Sequence, residues 1–258
     1  MIGRLRNRSN LTPQSMIAVE TSPGVRIYAI GDIHGRADLL RRLEKLICVD
    51  VESAPTGSRC IVVYLGDYID RGPDSRAVIQ HFLKRKLNLS SEVFLKGNHE
   101  EVLLSFLDDP EQTGPQWLAI GGIATLFSYG ITDVARKAQA GRFKELRDEL
   151  LATIPSAHLQ FFRKLQISWE DGGYLFVHAG IDPRHALDQQ TPETMLWIRD
   201  AFTSFSGNYG RKVVHGHSIV PRIELLSNRI AVDTGAYATG ILSCVVLEGS
   251  EIRVLNTA

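Results

Sequence analysis

Through its first hundred residues the chain alternates short apolar runs with amphipathic stretches, and each apolar run stops at a polar corner. The runs cover 26–32, 60–67 and 93–98, and their β-branched and aromatic content predicts buried strands. After the first, Leu39, Leu40, Leu43, Leu46 and Ile47 recur at helical spacing; after the second, Val78, Ile79, Phe82 and Leu83 do so. This is the rhythm of βα units, whose helices cover a sheet face. From about 100 to 165 the strand signal stops. Segments 117–129 and 143–151 read as helices separated by Gly and Pro, a helical insert with Trp117 and Phe127 expected in its core. Strands resume at 167–170 and 174–178 across an Asp171-Gly172-Gly173 turn, then at 212–217, 229–233, 242–247 and 252–255. The organisation expected is an N-terminal arm, 1–24, and a single catalytic domain, 25–258.

The corners hold more than turn chemistry. Gly31-Asp32-Ile33-His34-Gly35 places a carboxylate and an imidazole on one side of an extended chain. Gly66-Asp67-Tyr68-Ile69-Asp70-Arg71-Gly72 and Gly97-Asn98-His99-Glu100 follow the next two strands, and His178-Ala179-Gly180 and His215-Gly216-His217-Ser218 follow later ones. Asp, Asn and Gly favour turns and caps, so one such corner alone has a structural explanation. Turns do not require imidazole, however, and five corners of this kind sit at strand ends. In open α/β folds the carboxyl ends of the strands form a common ligand-binding edge. Asp32, His34, Asp67, Asn98, His178 and His217 are expected to converge there. Six such ligands exceed the needs of one ion but suit two ions bridged by one carboxylate. Carboxylate, amide and imidazole without thiolate favour Mn or Fe, with Zn possible.

Composition adjusts this picture slightly. Lys plus Arg (29) balance Asp plus Glu (29), so no global field draws the protein to nucleic acid or an anionic membrane, and affinity for phosphate must be local. Cys48, Cys60 and Cys244 are odd in number and widely spaced, which favours a reducing compartment and a cytoplasmic location. No run approaches a membrane span. Arg4, Arg6 and Arg8, with no acid before Glu20, also suit an organellar transit peptide, but a frayed arm is the expectation.

These motifs, in this order from 26 to 255, resemble the phosphoprotein phosphatases of the calcineurin-like metallophosphoesterases. The resemblance implies an α/β fold of two mixed β-sheets packed as a sandwich flanked by helices; the sequence rhythm agrees with its first half. It implies one divalent ion on Asp32, His34 and Asp67, and a second on Asp67, Asn98, His178 and His217, with Asp67 bridging. His-Gly-His offers two imidazoles; His217 matches the ligand position, and His215 is expected to be packed or to support the ligands. Arg71 matches a phosphate-binding arginine. Arg199 resembles a second one, with a surface ion pair to Asp200 as the alternative. Asn98 would also touch the phosphate.

The reaction implied is attack on a phosphomonoester by a metal-bridging water, with His99 as general acid oriented by Asp70 and with no phosphoenzyme. Phosphoserine and phosphothreonine of proteins are the expected substrates, phosphotyrosine a further one. A symmetrical bis(5'-nucleosyl)-tetraphosphatase is the alternative, and a non-catalytic metal-binding scaffold the third reading. Asp70 and Arg71 favour the phosphatase. Lys96 and Ala179 depart from the eukaryotic pattern, and no regulatory-subunit segment is evident.

Overall fold

The structure, a computed structural model, describes residues 19–87 and 89–258. The expected frayed arm and its arginines lie largely outside the described residues. Its last part, 19–24, is tied down: Thr21 N donates to Gly249 O (3.1 Å) and Gly173 N to Glu20 O (2.8 Å).

Two five-stranded mixed sheets form the body. The elements of the first half are β1 (Val25–Ile30), α1 (Ala37–Val51), β2 (Arg59–Tyr64), α2 (Ser75–Lys84) and β3 (Ser91–Phe94). An all-helical stretch follows: α3 (Asn98–Asp108), α4 (Pro110–Trp117), a π-turn (Leu118–Gly122), α5 (Ile123–Ser128), α6 (Val134–Gln139), α7 (Phe143–Thr153) and α8 (Ser156–Arg163). The second half comprises β4 (Ser168–Asp171), β5 (Tyr174–Val177), α9 (Pro192–Trp197), α10 (Asp200–Thr203), β6 (Lys212–His215), β7 (Glu224–Leu225), β8 (Arg229–Ala231), α11 (Ala236–Thr239), β9 (Ser243–Glu248) and β10 (Glu251–Asn256).

The first sheet runs β10-β9-β1-β2-β3 and the second β4-β5-β6-β8-β7. β1, β2 and β3 are parallel, as are β5, β6 and β8, so each sheet gathers three carboxyl ends at one edge.

Alternation along the strands assigns the faces. Val25, Ile27, Ala29, Ile61 and Val63 meet Phe176, Val214 and Ile230 between the sheets. Tyr28, Ile30, Val62 and Tyr64 point the other way, onto Leu40 and Leu43 of α1, Ile79 of α2 and Leu103 of α3. Trp117, Leu126, Leu146 and Leu150 of the helical stretch extend that outer layer, while Met195 and Phe202 cover the far side of the second sheet. Arg26 locks the register: it points away from the inter-sheet core, and its guanidinium pairs with Glu248 (2.7 Å) and Asp50 (3.1 Å). A one-residue slip would drive that charge between the sheets.

Three expectations need correction. Asn98 does not end a strand. β3 stops at Phe94, Leu95 makes a lone parallel bridge to Gln166, and Asn98 opens α3, because the Glu100 side chain turns back to accept the Gly97 N–H (2.9 Å). The helix expected over 117–129 is broken by the π-turn, where Gly121 takes φ +122°. Phe127 is 55% exposed rather than core, since short α5 turns Thr125 and Leu126 inward and leaves the next side chain outside. The short edge strand β7 carried no readable signal.

Candidate metal centre and active site

Every polar corner lands on the shared edge. β1 delivers Asp32 and His34, β2 delivers Asp67, Asp70 and Arg71, and the turn after β3 delivers Asn98 and His99; β5 and β6 deliver His178 and His217 from the other sheet. All seven of Asp32, His34, Asp67, Asp70, Asn98, His99 and His178 are at most 4% exposed. The backbone is bent to achieve this. Among the described residues six non-glycines have left-handed φ, and five are His34, Asp67, Asp70, Arg71 and His217. Each such residue costs of order 1 kcal/mol, a strain that concentrates at functional sites. Two glycines complete the packing: a Cβ on Gly97 would collide with Asp67 Oδ1, and one on Gly216 with Asp32 Oδ1.

Two groups of side chains could hold metal ions: His34, Asp67 and His99, and Asp67, His178 and His217, the ligand atoms of each lying within 4.8 Å of one another. Asp67 belongs to both. Its Oδ2 lies 3.6 Å from His34 Nε2 and its Oδ1 3.4 Å from His178 Nε2, an oxygen toward each group. Asp32 stands beside these groups rather than in them, with both oxygens accepting the His217 N–H at 3.1–3.2 Å. His215 is in neither; it is fully buried with its ring edge-on to Phe202 at 4.9 Å.

The donor chemistry fits cations. His34 Nδ1 donates to Ile69 O (2.7 Å) and His178 Nδ1 to Leu65 O (2.8 Å), so each ring turns its Nε2 lone pair into the site. His178 Nε2 then faces Asn98 Oδ1 at 2.9 Å, two acceptors without a proton between them. A cation seated between them would take up both lone pairs. The protonation states agree. Burial lowers His34 to about 3 and His217 to about 2, and lowers His178, so all three are neutral ligands. Asp67, despite its burial, is held below the carboxylate range by the imidazoles that crowd it, of which His99 is the one whose own pKa is raised.

His99 differs. Burial alone would lower its pKa, but Asp67 and Asp70 more than offset that and raise it. Its Nδ1 donates to Asp70 Oδ2 at 2.7 Å, and its Nε2 is buried without a partner, 3.8 Å from Asp67 Oδ2. Arg71 reaches His34 Nε2 with Nη1 at 3.0 Å and lies over the Tyr237 ring at 5.1 Å. Arg199 is exposed, and among the described residues its Nη1 hydrogen-bonds to the His217 carbonyl, at 3.4 Å. It forms no ion pair with Asp200 among the described residues.

Four residues of the site were not anticipated. Asp233, just after β8, is buried near Asp32 and accepts the Gly235 N–H at 2.8 Å; burial raises its pKa to about 6. Its signal is an Asp at the end of an apolar strand, as at Asp32, but without the neighbouring histidine. Glu100 accepts backbone N–H groups from Asp67, Tyr68, Ile69 and Gly97. Trp117, expected to be core, does fill the core but also donates its indole N–H to Asp70 Oδ2 at 3.0 Å, and Thr125 donates its hydroxyl to Asp70 Oδ1 at 2.6 Å.

Known proteins resemble this chain in sequence and in fold. The chain is 28% identical over 226 residues to the serine/threonine-protein phosphatase 2 of Escherichia coli, covering 84% of this chain and 90% of that one. It is 29% identical over 165 residues to a symmetrical bis(5'-nucleosyl)-tetraphosphatase of Nitrosospira multiformis, covering 63% of this chain and 46% of that one. In fold it superposes on the crystal structure of a mutant cold-active protein tyrosine phosphatase with TM-score 0.56 at 15% identity, over 92% of this chain and 82% of the other. A profile described as calcineurin-like phosphoesterase matches residues 25–234, from the first residue of β1 to just past β8. That span takes in both halves of the shared edge and every corner that meets there, and the chain belongs to the calcineurin-like phosphoesterase family.

Proposed function

We propose that the protein is a metal-dependent protein phosphatase acting on phosphoserine and phosphothreonine, with phosphotyrosine as a further substrate. The observation that carries this reading is the His99–Asp70 pair, 2.7 Å apart and buried beside Asp67, with Arg71 next in sequence. It equips the site to protonate a poor alkoxide leaving group, which seryl and threonyl phosphates have.

In this reading Asp32, His34 and Asp67 would hold one divalent ion and Asp67, Asn98, His178 and His217 the other, with Mn the expected metal and Fe or Zn able to serve. When bound, such a pair of cations supplies a nucleophilic water at neutral pH and neutralises charge that develops on the phosphoryl oxygens. The residues do the rest. Arg71 offers a planar fork to two phosphate oxygens, and Arg199 and Asn98 add donors. His99 gives its Nε2 proton to the leaving oxygen while Asp70 keeps the ring aimed through Nδ1. The His217 backbone N–H, donating to both Asp32 oxygens, holds Asp32 in place. The substrate is a phosphoprotein or small phosphoester, recognised without nucleic acid, membrane or regulatory subunit. No helix among the described residues is long and apolar enough to cross a membrane.

A second reading, a symmetrical dinucleoside tetraphosphatase, is favoured by the Nitrosospira relative. The wider coverage of the Escherichia coli phosphatase favours the first. The deciding experiment compares turnover of the Mn-loaded protein on a phosphoserine peptide, a phosphotyrosine peptide and diadenosine tetraphosphate, with Asp67→Asn as control. Fast peptide dephosphorylation that vanishes in Asp67→Asn supports the phosphatase; preferential release of ADP from the dinucleotide replaces it with the hydrolase.

A further inference from the structure

The helical stretch reaches into the proposed acid pair through one short segment, 117–125. Asp70 is completely buried, and its three donors differ in origin. His99 Nδ1 comes from the sheet edge, whereas Trp117 Nε1 (3.0 Å) and the Thr125 hydroxyl (2.6 Å) come from the helices, 47 and 55 residues along the chain. Thr125 has a single proton and gives it to Asp70 Oδ1, so the hydroxyl of Ser75, 2.9 Å away, donates to Thr125 in turn. Thr125 and Ser75 oxygens also accept the Asp70 backbone N–H, each at 3.0 Å, pinning a residue with φ +70°. The turn between Trp117 and Thr125 supports the next residue: Gly121 O accepts the Arg71 N–H at 3.2 Å, and Ile120 O accepts Arg71 Nε at 3.3 Å. A π-turn is a recurrent device for aiming groups at functional sites, and here it spaces the two donors.

We propose that Trp117 and Thr125 are positioning residues for the Asp70–His99 pair. The helical stretch then controls leaving-group protonation as well as covering the sheet. The inference rests on the reading of His99 as general acid. With either helical donor gone, one Asp70 oxygen loses a fixed partner, the carboxylate is less constrained, and His99 loses part of the aim that a developing alkoxide needs.

The test uses the full-length Mn-loaded protein and the variants Trp117→Phe, Thr125→Val and Thr125→Ser. Turnover is read on a phosphoserine peptide and on 4-nitrophenyl phosphate, whose aryl oxide needs no protonation, alongside KM and bound metal. The expectation is a loss of about tenfold in kcat on the peptide for Trp117→Phe and Thr125→Val, but less than about twofold on the aryl ester. KM and metal content stay unchanged, and Thr125→Ser restores the peptide rate. A separate readout needs no turnover: the Trp117 indole N–H resonance should move in Asp70→Asn. Equal losses on both substrates, full peptide activity in the variants, or an unmoved resonance would each overturn the inference alone. A wild-type protein inactive on both phosphomonoesters would overturn the phosphatase reading and this inference with it.

Discussion

Glu100 Oε2 accepts the backbone N–H of Asp67 at 2.9 Å, so the third corner of the chain fixes the residue shared by both candidate metal groups. The same oxygen takes Gly97 N–H, and Oε1 takes Tyr68 N–H at 2.8 Å and Ile69 N–H at 3.3 Å. Burial and the Asp67 charge push this carboxyl up, but four N–H donors leave its oxygens no acceptor for a proton, and it is a carboxylate. Glu100→Gln turns an amide NH2 against two of those donors. The expected cost is about 2–4 kcal/mol, measured by denaturant unfolding of the metal-free protein. A glutamine variant as stable as the parent would mean that the carboxyl is protonated.

The two tight glycines give a steric prediction. Gly97→Ala presses on Asp67 Oδ1 and Gly216→Ala on Asp32 Oδ1, in each case displacing a carboxylate from the shared edge. Both variants should lose metal affinity by at least about tenfold, read by titration with Mn, while Gly57→Ala, with open space around it, should not.

His99→Asn keeps a polar side chain but removes the proton carried on Nε2. Its kcat on a phosphoserine peptide should fall about 100-fold or more, with a much smaller loss on 4-nitrophenyl phosphate. Comparable losses on both esters would assign His99 to the metal group of which it is geometrically a member.

Stability against acid has an identifiable contributor far from the site. His158 is 1% exposed with Nδ1 2.7 Å from the Tyr129 hydroxyl, and burial, aided by Arg76, lowers its pKa from the usual 6.5 to about 4. The unfolded chain therefore takes up this proton first as the pH falls. The contribution is complete above about pH 6.5 and is lost on acidification toward about pH 4, on the order of 2 kcal/mol. Unfolding curves at about pH 7 and 4.5 should show a shallower loss in His158→Gln than in the parent, and parallel losses would remove His158 from the account.

How far the chain disclosed itself depended on whether each signal was local. Asp32 and His34 were legible because an apolar run, Gly31 and an imidazole lie within a few residues; Asn98 and His178 likewise sit with an imidazole and a glycine after an apolar run, and Asp67 with Gly66, Asp70 and Arg71. The face assignment of β1 was equally local, being written in its alternation. The second sheet was not: β4 to β8 are short, two to four residues each, and their pairing came from the family resemblance rather than from periodicity. Asp233 also ends an apolar strand but has no neighbouring histidine, so its local sequence does not separate it from an ordinary turn residue. Trp117 and Thr125 were illegible for a physical reason, since a buried indole in a helical pattern looks identical whether or not its N–H meets a carboxylate 47 residues earlier. Arg199 matched a motif, and its guanidinium donates to the His217 carbonyl.

The central claim is that this edge works with two cations sharing Asp67. Its most direct test is a titration of metal-stripped protein with Mn while turnover of 4-nitrophenyl phosphate is followed. Activity should rise to its maximum at two equivalents per chain, and Asp67→Asn should show no active stoichiometry. Full activity at one equivalent, or in the stripped protein, would contradict the dinuclear account.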